Sequence, residues 1–319
     1  MLVTGATGFI GRHVCAALTG VAWVRAAWRS QAPAGNCDEA VRVDLSGPLP
    51  PALLDGIDTI LHCAGMAHAH GVRLDDDAAF EADNVVATRN LCAAASAGGV
   101  RRVVIASSVA VFGTPGAAPV AEDAAPAPDS AYARSKLAAE RAVQASVPEP
   151  VVLRFPLVYG PGLPGNLARM VDAIARRRFP PLPRVCNRRS MIHVEDAARA
   201  MVLAGGHPAA AGRTFTVSDG QVYSTSQMAG WIRAALGRRA GGMAPPLAVF
   251  SLVAAAGDRV AAVSGRRAPV DGDAYRKIFG SAEYASSRIA TELGFEPRWD
   301  LPRAMPGIVA ARRNRSDKP

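Results

Sequence analysis

Met1-Leu2-Val3-Thr4-Gly5-Ala6-Thr7-Gly8-Phe9-Ile10-Gly11 opens the chain, and its reading decides the architecture. A very short apolar run leads into glycines spaced Gly-x-x-Gly-x-x-Gly, and a helical pattern, His13-Val14-Cys15-Ala16-Ala17-Leu18, begins near Gly11. Small residues between a strand and a helix let the backbone approach a pyrophosphate. The helix N-terminus then presents free N–H groups and the positive end of its dipole to that charge. The expected reading is a dinucleotide cradle. A glycine loop in this position can also be only a tight turn, so matching parts must follow.

They follow in order. Val21 to Trp28, Ala40 to Asp44, Thr59 to His62 and Arg102 to Ser107 read as strands, and Phe80 to Ala97 as a helix ending at Gly98-Gly99. A further helix runs from Tyr132 to about Gln144, and Val151 to Phe155 is the sixth strand. Strands alternating with helices predict an α/β fold with a doubly wound parallel sheet. Beyond Gly160-Pro161-Gly162 the rhythm changes, prolines crowd at Pro180-Pro181-Leu182-Pro183, and mixed helices and short strands take over. The expected division is a dinucleotide-binding domain over 1–163 and a smaller mixed α/β substrate lobe over 164–319, with about 187–217 returning to the first.

Composition narrows the class. Half of the 319 residues are hydrophobic, which allows a large core and argues against disorder. The apolar stretch Pro245 to Val263 is cut by Asp258 and Arg259 and reads as a buried helix, so no stable membrane insertion is expected. The N-terminal run lacks a basic leader and does not read as a signal peptide. Five scattered cysteines, Cys15, Cys37, Cys63, Cys92 and Cys186, form no Cys-x-x-Cys pair; reduced thiols in a cytoplasmic compartment are expected, not disulfides or a zinc site. The net charge of +9, clustered at 176–178, 188–189, 266–267 and in the tail, suits anionic small molecules. No aromatic-plus-basic stripe accompanies it, so nucleic acid is not expected as a partner. His62, His68 and His70 with Asp75-Asp76-Asp77 lack ligand spacing, and no metal is expected.

The second strand ends in Trp28-Arg29-Ser30, where an acid would grip the ribose 2′-hydroxyl of NAD. Arg29 could pair with the 2′-phosphate of NADP, or be an ordinary surface arginine; NADP is slightly favoured over NAD. Asp44 could meet the adenine edge or cap a turn. Tyr132 and Lys136 stand at i and i+4 on one helix face. A free tyrosine titrates near pH 10, and a nearby ammonium lowers that toward the working range. Ser108, at a strand end, can hold a substrate oxygen while a hydride moves to or from a nicotinamide.

The chain resembles an extended short-chain dehydrogenase/reductase of the nucleotide-sugar epimerase/dehydratase/reductase family. The resemblance spans nearly the whole length and rests on Thr4 to Gly11, Asp44-Leu45, His62-Cys63-Ala64-Gly65, Asn84-Val85, Ser107-Ser108 through Val111-Phe112-Gly113, the Tyr132/Lys136 pair, Arg154 with Val158 to Gly162, and His193-Val194-Glu195-Asp196. It implies a Rossmann-type fold, catalysis by Ser108, Tyr132 and Lys136, and a cofactor lined by Gly5, Thr7, Gly8, Phe9, Ile10, Gly11, Leu45, Ala64, Gly65 and Ser107. Lys136 would also hold the nicotinamide ribose. It further implies a homodimer and a UDP-sugar substrate. Asn166 and Asn187-Arg188-Arg189-Ser190 sit where similar enzymes grip the nucleotide, with Arg189 the leading phosphate ligand; Tyr223 and Arg276 would close over the ligand.

Related dehydratases carry Thr-Asp-Glu where this chain has Ser108-Val109-Ala110. Without those carboxylates no acid/base pair is evident for eliminating water. A dehydratase is therefore not expected, and the resemblance implies activity at carbon 4 of a UDP-sugar. Asn187 to Ile192 and Tyr275 to Ser281 resemble reductases of UDP-4-keto-6-deoxy-N-acetylhexosamines, and a 4-epimerase with tightly bound NAD is the alternative. A non-catalytic dinucleotide sensor is the reading from another class; such proteins often lose the Tyr or Lys that this chain keeps.

Overall fold

A computed structural model describes residues 1–67, 77–116, 118–238, 244–264 and 271–316. His68, His70, Asp75, Asp76, Arg266 and Arg267 lie outside the described residues. The strands are β1 (Leu2–Thr4), β2 (Arg25–Trp28), β3 (Glu39–Arg42), β4 (Thr59–His62), β5 (Arg102–Ser108), β6 (Glu149–Phe155), β7 (Leu157–Tyr159), β8 (Arg189–His193), β9 (Thr214–Thr216) and β10 (Val222–Tyr223). The helices are α1 (Gly11–Leu18), α2 (Asp77–Phe80), α3 (Ala87–Ala97), α4 (Ala131–Gln144), α5 (Asn166–Ala175), α6 (Val194–Gly206), α7 (Thr225–Ala235), α8 (Leu247–Ser264), α9 (Gly272–Phe279), α10 (Arg288–Leu293) and α11 (Leu301–Ser316).

Seven strands form one parallel sheet in the order β3-β2-β1-β4-β5-β6-β9. A sheet covered on both faces needs apolar side chains pointing both ways. Every residue of β1 and β4 is buried accordingly, whereas the edge strand β3 is only half covered. One apolar layer, with Val14, Leu18, Met201 and Phe215, joins α1 and α6 to one face. The opposite layer, with Leu91, Val103, Ile105 and Val143, seats α3 and α4 on the other. The doubly wound reading is thus what the chain builds.

A second, three-stranded sheet, β10-β8-β7, stands beside the first with β7 and β8 parallel and β8 and β10 antiparallel. Its core, including Leu167, Val171, Met228, Ile232 and Ile308, comes from α5, α7 and α11. The chain crosses from β8 through α6 to β9, which pairs with β6 in the large sheet.

Three elements differ from the sequence reading. The helix read as buried over Pro245 to Val263, α8, leaves Leu252 70% and Val253 49% exposed. β2 starts at Arg25, because Gly20 at φ 74° reverses the chain and Val21 to Val24 climb back to the sheet; Val21 is left 69% exposed there. The segment from Phe80 to Ala97 is not one regular helix. A π-turn over Glu81–Val86 interrupts it, and such a bulge re-aims a side chain. Here that side chain is Asn84, whose Oδ1 accepts from Met66 N at 2.7 Å and whose Nδ2 donates to Ser135 Oγ at 2.9 Å.

Candidate active site

At Gly5 and Gly11 the glycine loop is too tight for a side chain. A Cβ on Gly5 would stand 2.6 Å from Ala64 N, and one on Gly11 would stand 2.1 Å from the Gly5 carbonyl. Backbone therefore packs on backbone where β1 feeds α1. A groove of about 470 Å³ opens over it, walled by Gly5, Thr7, Gly8, Ala64 and Gly65 on one side and by Arg29, Asp44 and Leu45 on the other. This bare-backbone cradle before a helix N-terminus fits the pyrophosphate of a dinucleotide. Phe9, Ile10, Gly11, Ser107, Tyr132 and Lys136 do not wall the groove. Phe9 stacks under the Arg12 guanidinium, 5.3 Å from its ring centre, and Gly11 is buried beneath the loop.

At the adenosine end the charges are already engaged. Arg29 makes a fork with Asp83, at 2.8 and 3.3 Å, and that pairing holds its guanidinium above the ordinary range. The NADP expectation gains no support, because the cation meant for a 2′-phosphate is neutralised within the chain. Asp44 Oδ1 accepts from the backbone and hydroxyl of Ser46 at 3.0 and 2.8 Å, and these bonds lower its pKa. It caps that turn while remaining on the groove wall.

Ser130 caps α4 by accepting from Ala133 N at 3.2 Å, which starts the helix one residue before Tyr132. Tyr132 packs against Phe80, with ring centres 5.7 Å apart. Contrary to the lowering expected from Lys136, burial raises its phenol pKa, and it is a hydrogen bond with the Ser108 side chain that pulls the other way. Lys136 is buried and donates to the Ala106 carbonyl at 2.8 Å. Burial pulls its ammonium down to about 8, opposed by the charge of Glu140. Its Nζ lies 3.7 Å from where a Cβ on Gly65 would sit, at the inner end of the groove.

Glu140, one turn beyond Lys136, has a part the sequence reading missed. It is 1% exposed, accepts from Ser107 Oγ at 2.5 Å, and pairs with Arg154 at 2.8 Å. The spacing Lys136/Glu140 was a visible signal and Arg154 stands among the residues that carry the family resemblance, but nothing in the sequence pairs the two. Asn84 likewise fixes the loop after Gly65 to α4. His62 is fully committed, at 2.6 Å from Thr4 Oγ1 and 2.9 Å from Thr88 Oγ1, and burial holds it neutral with a pKa of about 3. It ties β1, β4 and α3 together. Among the described residues no group of His, Cys, Asp and Glu is arranged around a metal position.

A second cleft, of about 590 Å³, is lined by Val109, next to Ser108, and by Leu157, Asn166, Arg189, Lys277 and Tyr284. Arg189 donates from Nε to the Gly280 carbonyl at 3.2 Å, and among the described residues no carboxylate pairs with it. Asn187 donates to the carbonyls of Ile278 and Gly280 at 3.2 and 3.1 Å, and Arg188 forks onto Glu283 at 2.5 and 2.7 Å. Segment 187–190 is thereby stitched to 278–284.

Tyr223 and Arg276 do not reach this cleft. Tyr223 is 4% exposed; its hydroxyl donates to Asp219 at 2.9 Å and accepts from Leu301 N at 3.1 Å. Buried packing between β10 and α11 explains its presence. Arg276 points outward, 4.0 Å from Asp273 on the preceding turn. Glu195 and Asp196 open α6, as acids favoured by its dipole would.

A glycine cradle at the head of a parallel sheet, joined to a serine, a tyrosine and a lysine on β5 and α4, defines an extended short-chain dehydrogenase/reductase. More narrowly, the chain belongs to the NAD dependent epimerase/dehydratase family, whose model matches residues 1–218. It is similar to a UDP-glucose 4-epimerase of Vibrio cholerae, 30% identical over 249 residues that make up 72% of this chain and 73% of that one. It is also similar to a UDP-glucose 4-epimerase of Mycolicibacterium smegmatis (strain ATCC 700084 / mc(2)155), 33% identical over 262 residues, or 74% of this chain and 82% of that one. Among solved structures, MoeE5 in complex with UDP-glucose and NAD superposes with a TM-score of 0.77 at 26% identity, covering 99% of each chain. The protein is an enzyme of this NAD-dependent family.

Proposed function

We propose that this enzyme moves a hydride and a proton at carbon 4 of a UDP-linked sugar, in the direction that reduces a 4-keto-6-deoxy-N-acetylhexosamine. One observation supports the reading: Lys136 Nζ lies 3.7 Å from where a Cβ would sit on Gly65, a wall of the dinucleotide groove, while Val109, which follows Ser108, lines the second cleft. A nicotinamide bound in the groove supplies the hydride. Tyr132 hands its phenol proton to the carbon-4 oxygen, Ser108 holds that oxygen, and the buried Lys136 ammonium stabilises the phenolate left behind. Arg189, cationic and without a carboxylate partner among the described residues, suits the diphosphate, with Asn166 on the same wall.

The direction rests on the stitched segments 187–190 and 278–284, which are those resembling 4-keto reductases, and on Val109 and Ala110 in place of eliminating acids. The 4-epimerase reading stays second, favoured by the 4-epimerases among the relatives. NAD is the proposed cofactor, because Asp83 occupies Arg29. The test is nucleotide analysis of freshly purified protein, then NADH and NADPH oxidation with a UDP-4-keto-6-deoxy-N-acetylhexosamine. Stoichiometric loss of NADH supports the reductase. Firmly bound NAD with interconversion of UDP-hexoses and no net oxidation makes the enzyme an epimerase.

A further inference from the structure

Three charged side chains, Arg29, Asp44 and Asp83, line the dinucleotide groove, and no other charged residue among the described ones does. One cation therefore faces two anions there. Arg29 directly follows β2, and Asp44 comes shortly after β3. Asp83 arrives from elsewhere, from the π-turn Glu81–Val86. Its place is fixed by its neighbour. Asn84 is buried and bonded to Met66 and to Ser135 on α4, which holds the turn against the groove. Both terminal nitrogens of Arg29 donate to the Asp83 carboxylate, one to each oxygen, at 2.8 and 3.3 Å. A fork of this kind fixes the direction of the cation as well as engaging its charge.

We infer, resting on the NAD reading above, that Asp83 is the residue that makes this enzyme select NAD over NADP. In sheets of this kind the end of β2 meets the adenosine ribose: an acid accepts from the 2′-hydroxyl, and an arginine accommodates a 2′-phosphate. This chain has the arginine, so β2 by itself favours NADP. Asp83 reverses that preference in two ways. It takes up the donors that a phosphate needs, and its charge, with that of Asp44, stays on the wall when Arg29 is drawn aside. A phosphate must break the fork and then sit among like charges, which repel it. A neutral hydroxyl meets neither cost. The Arg29 side chain is 56% exposed and that of Asp83 26%, and an ion pair so open to water is weak. The discrimination therefore comes more from the Asp83 charge than from its bond to Arg29.

Fluorescence titration of NADH and of NADPH into the full chain reads both dissociation constants without any sugar substrate. Wild type is expected to bind NADH the more tightly. Asp83→Asn keeps the size of the side chain and removes its charge, so NADPH should bind about tenfold tighter or more, with NADH affinity changed little. Adding Arg29→Ala to Asp83→Asn should cancel that gain, because the freed guanidinium is what receives the phosphate. Melting temperature and circular dichroism should match wild type in both variants. A wild type that prefers NADH, with the NADH-to-NADPH ratio unmoved by Asp83→Asn, overturns the role of Asp83 and leaves NAD as the cofactor. A wild type that prefers NADPH overturns both. Equal loss of the two cofactors in Asp83→Asn makes the carboxylate part of the groove's framework and overturns its selective role alone.

Discussion

Tyr132 and Lys136 carry the sharpest expectations. Tyr132→Phe removes the proton donor while keeping the ring against Phe80, so kcat should fall by about 10²–10⁴ with cofactor affinity retained. Isothermal titration with NADH beside a rate assay checks this, and unchanged turnover would point to the dinucleotide sensor. Lys136 is held at about 8 in the fold against 10.5 when free. Between those values the unfolded chain binds more protons than the native one, so the native state gains stability as pH rises through that window. Lys136→Met lacks the linkage. Its stability relative to wild type should be greatest at or below pH 8 and shrink toward pH 10.5, as read from cofactor-free melting curves. The same substitution should abolish turnover.

At the level of elements, α4 and β6 are locked by one buried ion pair. Glu140 takes both a serine hydroxyl and the Arg154 fork, and neither charged group has solvent to fall back on. Glu140→Gln leaves the Arg154 guanidinium buried without a counter-charge, and equilibrium denaturation should show a loss of about 3–5 kcal/mol. The π-turn before α3 illustrates why element boundaries escape a pattern reading. Apolar spacing predicts one helix, but Asn84 hydrogen-bonds both backbone polar groups of Met66 and reaches Ser135 on another helix, and that geometry needs an extra residue in the turn. Arg102 is a similar case. It starts β5 as expected, yet its side chain is 2% exposed and closes the C-terminus of α6 by donating to the carbonyls of Ala204, Gly205 and His207.

Across the whole molecule, the second cleft is assembled from distant parts of the chain, with Val109 after β5, Asn166 on α5, Arg189 on β8 and Lys277 on α9 along its walls. Arg189→Ala should raise KM for a UDP-sugar by about tenfold to a hundredfold, with kcat and melting temperature changed little, since among the described residues its guanidinium donates to one carbonyl, that of Gly280. A parallel fall in kcat and stability would instead make Arg189 part of the lobe's framework. The carboxylate of Asp196 works at the same scale. Fully buried at the head of α6, it accepts from Arg199 and from the backbone of Arg298 and Trp299, fastening the C-terminal segment to the large sheet.

The parallel sheet, the glycine cradle and the pairing of Tyr132 with Lys136 were all legible in the chain. Each is a local matter: apolar runs between glycines specify strands buried on two faces, glycines at the close approaches of a loop leave its backbone open to a pyrophosphate, and a spacing of four places two residues on one helix face. Tertiary structure alone decided the rest. It closed Arg29 onto Asp83, buried Tyr223 between Asp219 and Leu301, and gave Glu140 its partner on β6. It also stitched 187–190 to 278–284 around Arg189. These depend on which long-range neighbour reaches a polar group first, and that competition has no periodicity for a sequence to display.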